Sequence, residues 1–233
     1  MNQLQKISIV IPVYNEQDTI AKVVASVENS NITFEKEILI VDDGSTDGTP
    51  EILKNLAPKH KVIFLKDNCG KGVAVKAGMA AATGDVLIIQ DADLEYDPVD
   101  YPVLLQPIID GRADVVFGSR FISSYPRRVL HFSHYVANRF LTFVSNVCTG
   151  LNLSDMECGF KVFNRKSIDL ILPLLRSGRF GIEPELTAYS AKCKLRIYEV
   201  GISYNGRTYL EGKKITWHDG VAALWHIIRF NFL

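Results

Sequence analysis

The chain has 233 residues, of which 47% are hydrophobic and 22% charged, a balance typical of a globular protein that buries a core. Its 26 basic and 26 acidic residues cancel, so no global field favours nucleic acid, and anion binding has to come from local clusters. The four cysteines form no C-x-x-C pair, which disfavours a zinc knuckle or a disulfide scaffold and fits a reducing compartment: Cys69, Cys148, Cys158 and Cys193.

The beginning of the chain and its apolar runs predict a cytosolic protein. The first residues, MNQLQKISIV, lack the basic segment and long apolar segment of a signal peptide. No uninterrupted apolar run reaches the roughly 18 residues expected of a membrane-spanning helix.

The first 120 residues alternate short apolar runs, rich in β-branched residues, with segments of helical periodicity. The predicted strands are 7–14, 37–43, 61–66, 86–90 and 113–119, and the helical segments between them begin near residues 15, 49, 72 and 98. Strand and helix alternating at this spacing indicate βαβ units. The sequence therefore predicts an α/β fold with a mostly parallel sheet and helices on both faces.

The pattern becomes less regular after about residue 120. Residues 129–150 form a long amphipathic pattern whose apolar side carries Phe132, Val136, Phe140, Phe143 and Val147. Two further helical patterns, a late strand at 196–204 and an apolar C-terminal helix follow. We predict one domain, 1–233, with a nucleotide-binding type of half at 1–120 and a second half at 121–233.

Polar residues follow four of the predicted strands, at Asn15-Glu16, Asp42-Asp43-Gly44-Ser45, Asp91-Ala92-Asp93 and Gly118-Ser119-Arg120. Parallel α/β sheets bind ligands at the carboxyl ends of their strands. Solvated loops explain any one polar strand end, but less easily four that are rich in carboxylates. We therefore expect a binding site along this edge of the sheet.

Asp91 and Asp93 are two residues apart, so in extended backbone their side chains point the same way. Two like charges held so close repel each other unless a cation bridges them. Oxygen ligands with room for water suit Mg²⁺ or Mn²⁺, which proteins often share with substrate phosphates. Glu95 becomes a third candidate ligand if the backbone stays extended.

Two common nucleotide-binding motifs are absent from the sequence. No G-x-G-x-x-G follows the first strand and no G-x-x-x-x-G-K-[ST] occurs, which disfavours dinucleotide-dependent dehydrogenases and P-loop NTPases. Asp42 and Asp43 are then the candidate contacts to a base or ribose, since carboxylates accept from ring N–H groups and sugar hydroxyls. The alternative is a turn in which these side chains cap the backbone.

Seven segments together resemble the family 2 glycosyltransferases of the GT-A fold: IVIPVYNE, IVDDGSTDGT, NCGKGVAVKAG, DADLEYDP, GSRF, DMECGFKVFNR and GRTYLEGKKITWHDG. The likeness covers nearly the whole chain and is closest to the branch of dolichyl-phosphate mannosyltransferase and polyprenyl-phosphate glucosyltransferases. It implies that Asp91 and Asp93 bind a metal and the donor diphosphate. It also implies a nucleoside site formed by Pro12, Tyr14, Glu16 and Asp43, with Lys71 near the nucleotide, and Asp42 is the further candidate named above. Lys71 is equally well explained as a surface lysine, and Glu95 departs from the glutamine common in this branch.

The same resemblance implies that arginines hold a lipid phosphate acceptor: Arg120, Arg127, Arg128 and Arg207. Guanidinium groups match phosphate oxygens, and Asp155 matches an acidic position near the acceptor, with Glu157 the weaker match. A sugar hydroxyl needs a carboxylate base to attack, whereas a phosphate monoester, with a second pKa near about 6, is already mostly dianionic. Glu183 and Glu185 are candidate bases that keep the hydroxyl alternative open.

We therefore expect inverting transfer of a hexose from GDP-mannose or UDP-glucose to a polyprenyl phosphate, with Mg²⁺ or Mn²⁺, by a peripheral protein on the cytosolic face of a membrane. The alternatives are transfer to a glycan hydroxyl and a non-catalytic nucleotide-sugar-binding protein. The helix at 129–150 and the segment 219–233 have the composition of interfacial helices. Core packing or a homo-oligomer interface would explain their apolar faces equally well.

Overall fold

The computed structural model describes residues 4–122, 128–129, 132–178, 181–207 and 217–233, without the side chains of 217–219. These residues form a seven-stranded sheet in the order β3-β2-β1-β4-β6-β5-β7. The strands are β1 (Lys6–Val13), β2 (Glu35–Asp42), β3 (Lys61–Phe64), β4 (Val86–Ile89), β5 (Val115–Ser119), β6 (Lys161–Asn164) and β7 (Ile197–Gly201).

Six of these strands run in one direction, and β6 runs against its neighbours β4 and β5. The predicted mostly parallel α/β sheet is therefore confirmed. β6, which was not among the predicted strands, lies inside the sheet between β4 and β5. β6 joins β5 to the other strands of the first half, and β6 and β7 come from the second half, so both halves of the chain contribute to the same sheet.

Helices cover both faces of the sheet, as expected. They are α1 (Ile20–Glu28), α2 (Thr49–Leu56), α3 (Lys71–Ala81), α4 (Tyr101–Ile109), α5 (Phe132–Thr149), α6 (Arg165–Ile171), α7 (Ile182–Lys192) and α8 (Trp217–Phe232). Side chains of β1 alternate between two cores: Ile9 joins the one with α1, α2 and α4, and Val10 joins the one with α3, α6 and α7. This alternation explains why β1 has no polar face and is apolar almost throughout.

Helix α5 presents its apolar side to solvent. All five residues of the predicted apolar side are exposed, with Phe143 at 64% and Val147 at 69%. The side facing the protein instead buries Leu141, Thr142 and Ser145. Core packing, one of the alternatives for this face, is therefore wrong.

Helix α8 packs against α5 and α7 and exposes Trp225, Ile228 and Phe232 while burying Ala223, Ile227 and Phe230. Within the described ranges, each helix is too short or too polar to cross a bilayer. The two helices α5 and α8 thus form a surface with exposed aromatic and aliphatic side chains.

Candidate functional site

The segment after β4 is a bend held by a buried glutamine. Gln90 donates from Nε2 to the carbonyls of Asp91 (3.0 Å) and Tyr96 (3.2 Å) and accepts from the Tyr101 hydroxyl (2.8 Å). Leu94 has a φ of 63°, a left-handed conformation that costs energy for a residue with a side chain and often marks a functional turn. The extended backbone on which the expectation of Glu95 as a third ligand depended is therefore absent.

Asp91 is paired with a lysine from the start of α3. Lys71 Nζ lies 2.7 Å from Asp91 Oδ1 and 2.7 Å from Glu183 Oε1. Burial lowers the pKa of Lys71, but the two carboxylates outweigh it and raise this pKa above its ordinary value. The alternative that Lys71 is a surface lysine is wrong, because it bridges two carboxylates inside the cleft.

Asp93 is paired with Arg207, which was expected on the acceptor side. Arg207 Nη2 lies 3.1 Å from Asp93 Oδ2, and Nη1 lies 3.3 Å from Glu16 Oε2. Its backbone N–H donates to Glu95 Oε1 at 2.8 Å, and the Tyr204 hydroxyl donates to Glu95 Oε2 at 3.0 Å. Glu95 thus holds the segment that carries Arg207, while the guanidinium group faces the carboxylates expected on the donor side.

The carboxylates of this cleft repel one another despite these cations. Burial raises the pKa of Asp93 to about 7, and the charges of Asp91 and Glu95 add to the rise while Arg207 opposes it. A pKa raised this far shows that negative charge on Asp93 is unfavourable here. An added cation would therefore bind favourably beside it.

Among the described residues, no three His, Cys, Asp or Glu side chains come together as a metal site does; Lys71 and Arg207 hold Asp91 and Asp93 instead. The donor set still fits a hard divalent cation, since Asp91 and Asp93 offer carboxylate oxygens. Gly159 leaves open the space beside Asp91 Oδ2, which a Cβ would fill. Asp91 and Asp93 are therefore chemically able to hold Mg²⁺ or Mn²⁺ once the protein cations move.

A second ion pair lies at the end of β5. Arg120 donates from Nε to Asp155 Oδ2 (2.6 Å), from Nη2 to Asp155 Oδ1 (2.7 Å) and from its backbone N–H to Oδ2 (3.0 Å). Asp155 is fully buried, and its own N–H is held by Glu199 Oε1 at 3.0 Å. Asp155 therefore fixes the position of Arg120, and it reaches the site through that arginine.

The two aspartates at the end of β2 cap the backbone. Asp43 accepts from the N–H groups of Cys69 (2.9 Å) and Gly70 (2.7 Å), just before Lys71, and Asp42 Oδ1 accepts from Ser45 N–H at 3.2 Å. This is the turn geometry weighed as the alternative. Both residues are nearly fully buried at the site edge, as is Pro12 at the end of β1, and Tyr14 is exposed beside them.

The remaining candidate residues have different outcomes. Arg127 lies outside the described residues. Arg128 is exposed and donates from Nη1 to the carbonyl of Gly206 at 3.2 Å, next to Arg207. Glu185 is fully buried and accepts from the N–H groups of Arg176 and Ser177, so it is not available as a base.

Glu157, the weaker of the two acidic matches, has a buried carboxylate oxygen. Its Oε1 is buried without a hydrogen-bond partner among the described residues. Burial raises the pKa of Glu157 to about 7, the charge of Glu183 adds to the rise, and Lys161 and Arg120 oppose it.

Sequence reasoning missed the supporting groups of this site, including Gln90, Tyr96, Gly159 and Tyr204. Tyr96 accepts from Gly159 N–H at 3.1 Å, and its ring contacts Phe160 and Tyr204. The only signal was that Gly159 and Phe160 lie in the D-M-E-C-G-F segment, whose spacing alone does not show what they contact.

The family model "Glycosyl transferase family 2" matches residues 8–172 of the chain. Among curated proteins, the chain is 31% identical over 218 residues to a UDP-N-acetylglucosamine–dolichyl-phosphate N-acetylglucosaminyltransferase of Methanococcus voltae, covering 84% of each chain. It is 27% identical over 251 residues to a dolichyl-phosphate beta-glucosyltransferase of Dictyostelium discoideum, covering 97% of this chain and 74% of that one.

Crystal structures of glucosyl-3-phosphoglycerate synthase from Mycobacterium tuberculosis share the fold. The complex with Mn²⁺, UDP and phosphoglyceric acid superposes with a TM-score of 0.75 at 19% identity, over 98% of this chain and 79% of that one. The complex with Mn²⁺, UDP and glucosyl-3-phosphoglycerate gives 0.73 at 20% identity, over 97% and 80%. This likeness confirms the expected GT-A fold.

Proposed function

We propose that this chain, which belongs to glycosyl transferase family 2, transfers a glucose-type sugar from a uridine diphosphate donor to a polyprenyl phosphate. The curated relatives from Dictyostelium and Methanococcus act on dolichyl phosphate, and the latter uses UDP-N-acetylglucosamine. Of the two donors that the sequence left open, UDP-glucose therefore has more support than GDP-mannose.

One observation supports the proposal most: two carboxylates lie beside a lysine and an arginine at one edge of the sheet. Asp91 and Asp93 follow β4, and Lys71 and Arg207 pair with them. Arg120 lies at the end of β5, on the side of Asp155. A diphosphate carried by a cation at Asp91 and Asp93 would face a monophosphate held by arginines, and transfer between two phosphates needs both.

Asp91 and Asp93 would hold the divalent cation, Mg²⁺ or Mn²⁺. When bound, such a cation neutralises the charge that develops on the leaving nucleoside diphosphate. Glu16, Pro12, Tyr14, Asp42 and Asp43 line the neighbouring ends of β1 and β2, where the nucleoside would bind. In this arrangement Asp43 acts on the nucleotide side partly by fixing the turn that carries Lys71.

The acceptor side favours a phosphate over a hydroxyl. A hydroxyl acceptor needs a free carboxylate base, but Glu185 is enclosed and Glu183 is paired with Lys71. Burial raises the pKa of Glu183, yet Lys71 and Lys161 outweigh it and leave that pKa below its ordinary value, which makes Glu183 a weak base. A phosphate monoester instead requires cations to hold it, which Arg120, Arg128 and Arg207 would supply.

The exposed faces of α5 and α8 would place the site against a membrane on the cytosolic side. Phe140 and Phe143 are more than half exposed, as interfacial helices require. The same helix α5 reaches the acceptor side, since Arg139 donates to the carbonyl of Ser154, next to Asp155. Flotation with vesicles containing anionic lipid should carry the protein, and Phe140→Ser with Phe143→Ser should abolish it. A homodimer in solution that these two changes dissociate would instead make the face a subunit interface.

A donor and acceptor panel tests the proposed reaction. Purified protein with Mn²⁺ is incubated with UDP-glucose, UDP-N-acetylglucosamine or GDP-mannose and an undecaprenyl or dolichyl phosphate in detergent. We expect a UDP sugar to give a lipid-linked product, which Asp91→Asn and Asp93→Asn abolish and the exposed control Glu51→Gln does not. Transfer to a water-soluble glycan but to no polyprenyl phosphate would refute the proposal.

A further inference from the structure

We infer that Arg207 is a built-in counter-ion that the metal-bound donor displaces from Asp93, so that the acceptor phosphate binds after the donor. This inference rests on the proposed function and adds an order of binding to it. Arg207 would act as a positioning residue in two places in turn, first on the donor carboxylates and then on the acceptor phosphate.

The contacts of the Arg207 guanidinium group are long and shared. Its two terminal nitrogens lie 3.1 to 3.4 Å from oxygens of Asp93 and Glu16, and Nε lies 3.8 Å from Glu95 Oε1 without a hydrogen bond to any described residue. Hydrogen bonds between ionised groups are usually about 2.7–2.9 Å long. Arg207 therefore shares its contacts among several carboxylates and forms no short bidentate pair with any one of them.

Arg120 provides the contrast within the same cleft. Its two contacts to Asp155 are 2.6 and 2.7 Å long and bidentate, and Asp155 is fully buried. Of the two arginines, Arg120 is fixed by its partner, whereas an incoming cation can displace Arg207 from Asp93.

The backbone at Arg207 is anchored separately from its side chain. Glu95 accepts from the Arg207 N–H and from the Tyr204 hydroxyl, and the Asn205 N–H donates to the Glu95 carbonyl at 3.0 Å. The guanidinium group can thus leave Asp93 while the segment stays in place. This also assigns Glu95 a role: it holds the segment that carries Arg207.

Arg128 contacts the same segment, since it donates from Nη1 to the carbonyl of Gly206, the residue before Arg207. Once Asp93 no longer holds Arg207, its guanidinium group can donate to the oxygens of a phosphate. A divalent cation and Arg207 compete for Asp93, so binding of the cation and binding of the acceptor phosphate are coupled, and coupling is reciprocal.

Manganese binding to the protein without substrate tests the competition. The free Mn²⁺ signal in electron paramagnetic resonance is titrated with wild type, Arg207→Ala, Arg207→Lys and the surface control Arg112→Ala. We expect Arg207→Ala to bind Mn²⁺ about tenfold more tightly, within the usual range of coupling between sites, Arg207→Lys to lie between, and the control to match wild type. Unchanged or weaker binding by Arg207→Ala, with native circular dichroism, would overturn the inference.

The second arm measures a phosphate probe, a short-chain prenyl monophosphate, by calorimetry with and without Mn²⁺ and UDP. Wild type should bind it more tightly when both are present, by about the factor found above, and Arg207→Ala should bind it weakly under both conditions. Equal affinity in wild type with and without Mn²⁺ and UDP would overturn the ordered scheme. If lipid transfer fails but Arg207→Ala changes Mn²⁺ binding, the proposed function fails and the competition stands. If transfer is intact but Arg207→Ala does not change Mn²⁺ binding, the competition fails and the proposed function stands.

Discussion

Replacing Asp155 by asparagine tests whether this residue acts through Arg120. The substitution keeps the shape of the side chain and removes its charge, leaving Arg120 with a side chain that is only 12% exposed and has lost its ionic partner. Three hydrogen bonds from Arg120 converge on the carboxylate. The asparagine oxygen can keep some of them, but its NH₂ group then faces one guanidinium N–H.

Removing one partner of a buried ion pair costs about 3–5 kcal/mol, because the other charge stays buried without compensation. Since the asparagine oxygen remains an acceptor, we expect Asp155→Asn to lower the free energy of unfolding by about 3 kcal/mol. Adding Arg120→Met also removes the buried guanidinium charge, so the double variant should be more stable than Asp155→Asn alone.

Urea unfolding followed by circular dichroism at neutral pH measures both effects. The exposed pair Arg112–Asp110 serves as the control: Asp110→Asn should cost less than about 1 kcal/mol, as exposed pairs do. A loss below 1 kcal/mol for Asp155→Asn, or a double variant that is less stable than both single variants, would refute the reasoning.

Three further changes probe the site and the fold. Gly159→Ala would place a methyl group against Asp91 Oδ2, so the rate of transfer should fall by about a hundredfold while the fold stays intact. The control Gly220→Ala adds a methyl group that meets no atom within 4 Å, so it should leave the rate unchanged. Burial raises the pKa of Glu37, but hydrogen bonds from Ser8 and Thr83 outweigh it and lower this pKa to about 2. Glu37 should therefore stabilise the fold fully above its ordinary value of 4.5 and lose this effect as the pH falls towards 2; Glu37→Gln should flatten the pH dependence of Tm in that window. Asp93→Asn should weaken Mn²⁺ binding in calorimetry with UDP present, and equal binding would remove Asp93 from the metal site.

The sheet and the position of the acidic residues were accessible from the sequence because buried parallel strands are apolar on both faces. β4 consists only of Val, Leu and Ile, and β1 is apolar at six of its eight positions. Because the two strands are parallel, the polar residues that follow them lie at the same edge of the sheet. Asp91 and Asp93 could therefore be placed at the cleft before any contact was known.

Two features of the fold could not be predicted because they break the usual patterns. β6 begins with Lys161, a residue type that normally marks a surface, yet this lysine is buried and donates to the carbonyls of Met156 and Cys158. Helix α5 turns Phe143 outward and Thr142 inward, the reverse of what a hydrophobic pattern predicts for a helix on a protein core.

The pairing of Arg207 with Asp93 was also beyond the sequence. The two residues are 114 positions apart, and their contact depends on where the last strand delivers the segment after it. An arginine whose motif predicts phosphate binding can pair with a carboxylate when no ligand is bound. No local sequence pattern shows which of the two groups it contacts.

A comparison of two acceptors of equal chain length tests the central claim most directly: a polyprenyl phosphate and the corresponding polyprenol, each with UDP-glucose and Mn²⁺. We expect sugar to reach the phosphate alone and to give an acid-labile glycosyl phosphate, because arginines are available to hold a phosphate, whereas the two candidate bases, Glu183 and Glu185, are already paired. Equal or faster transfer to the polyprenol would contradict the account.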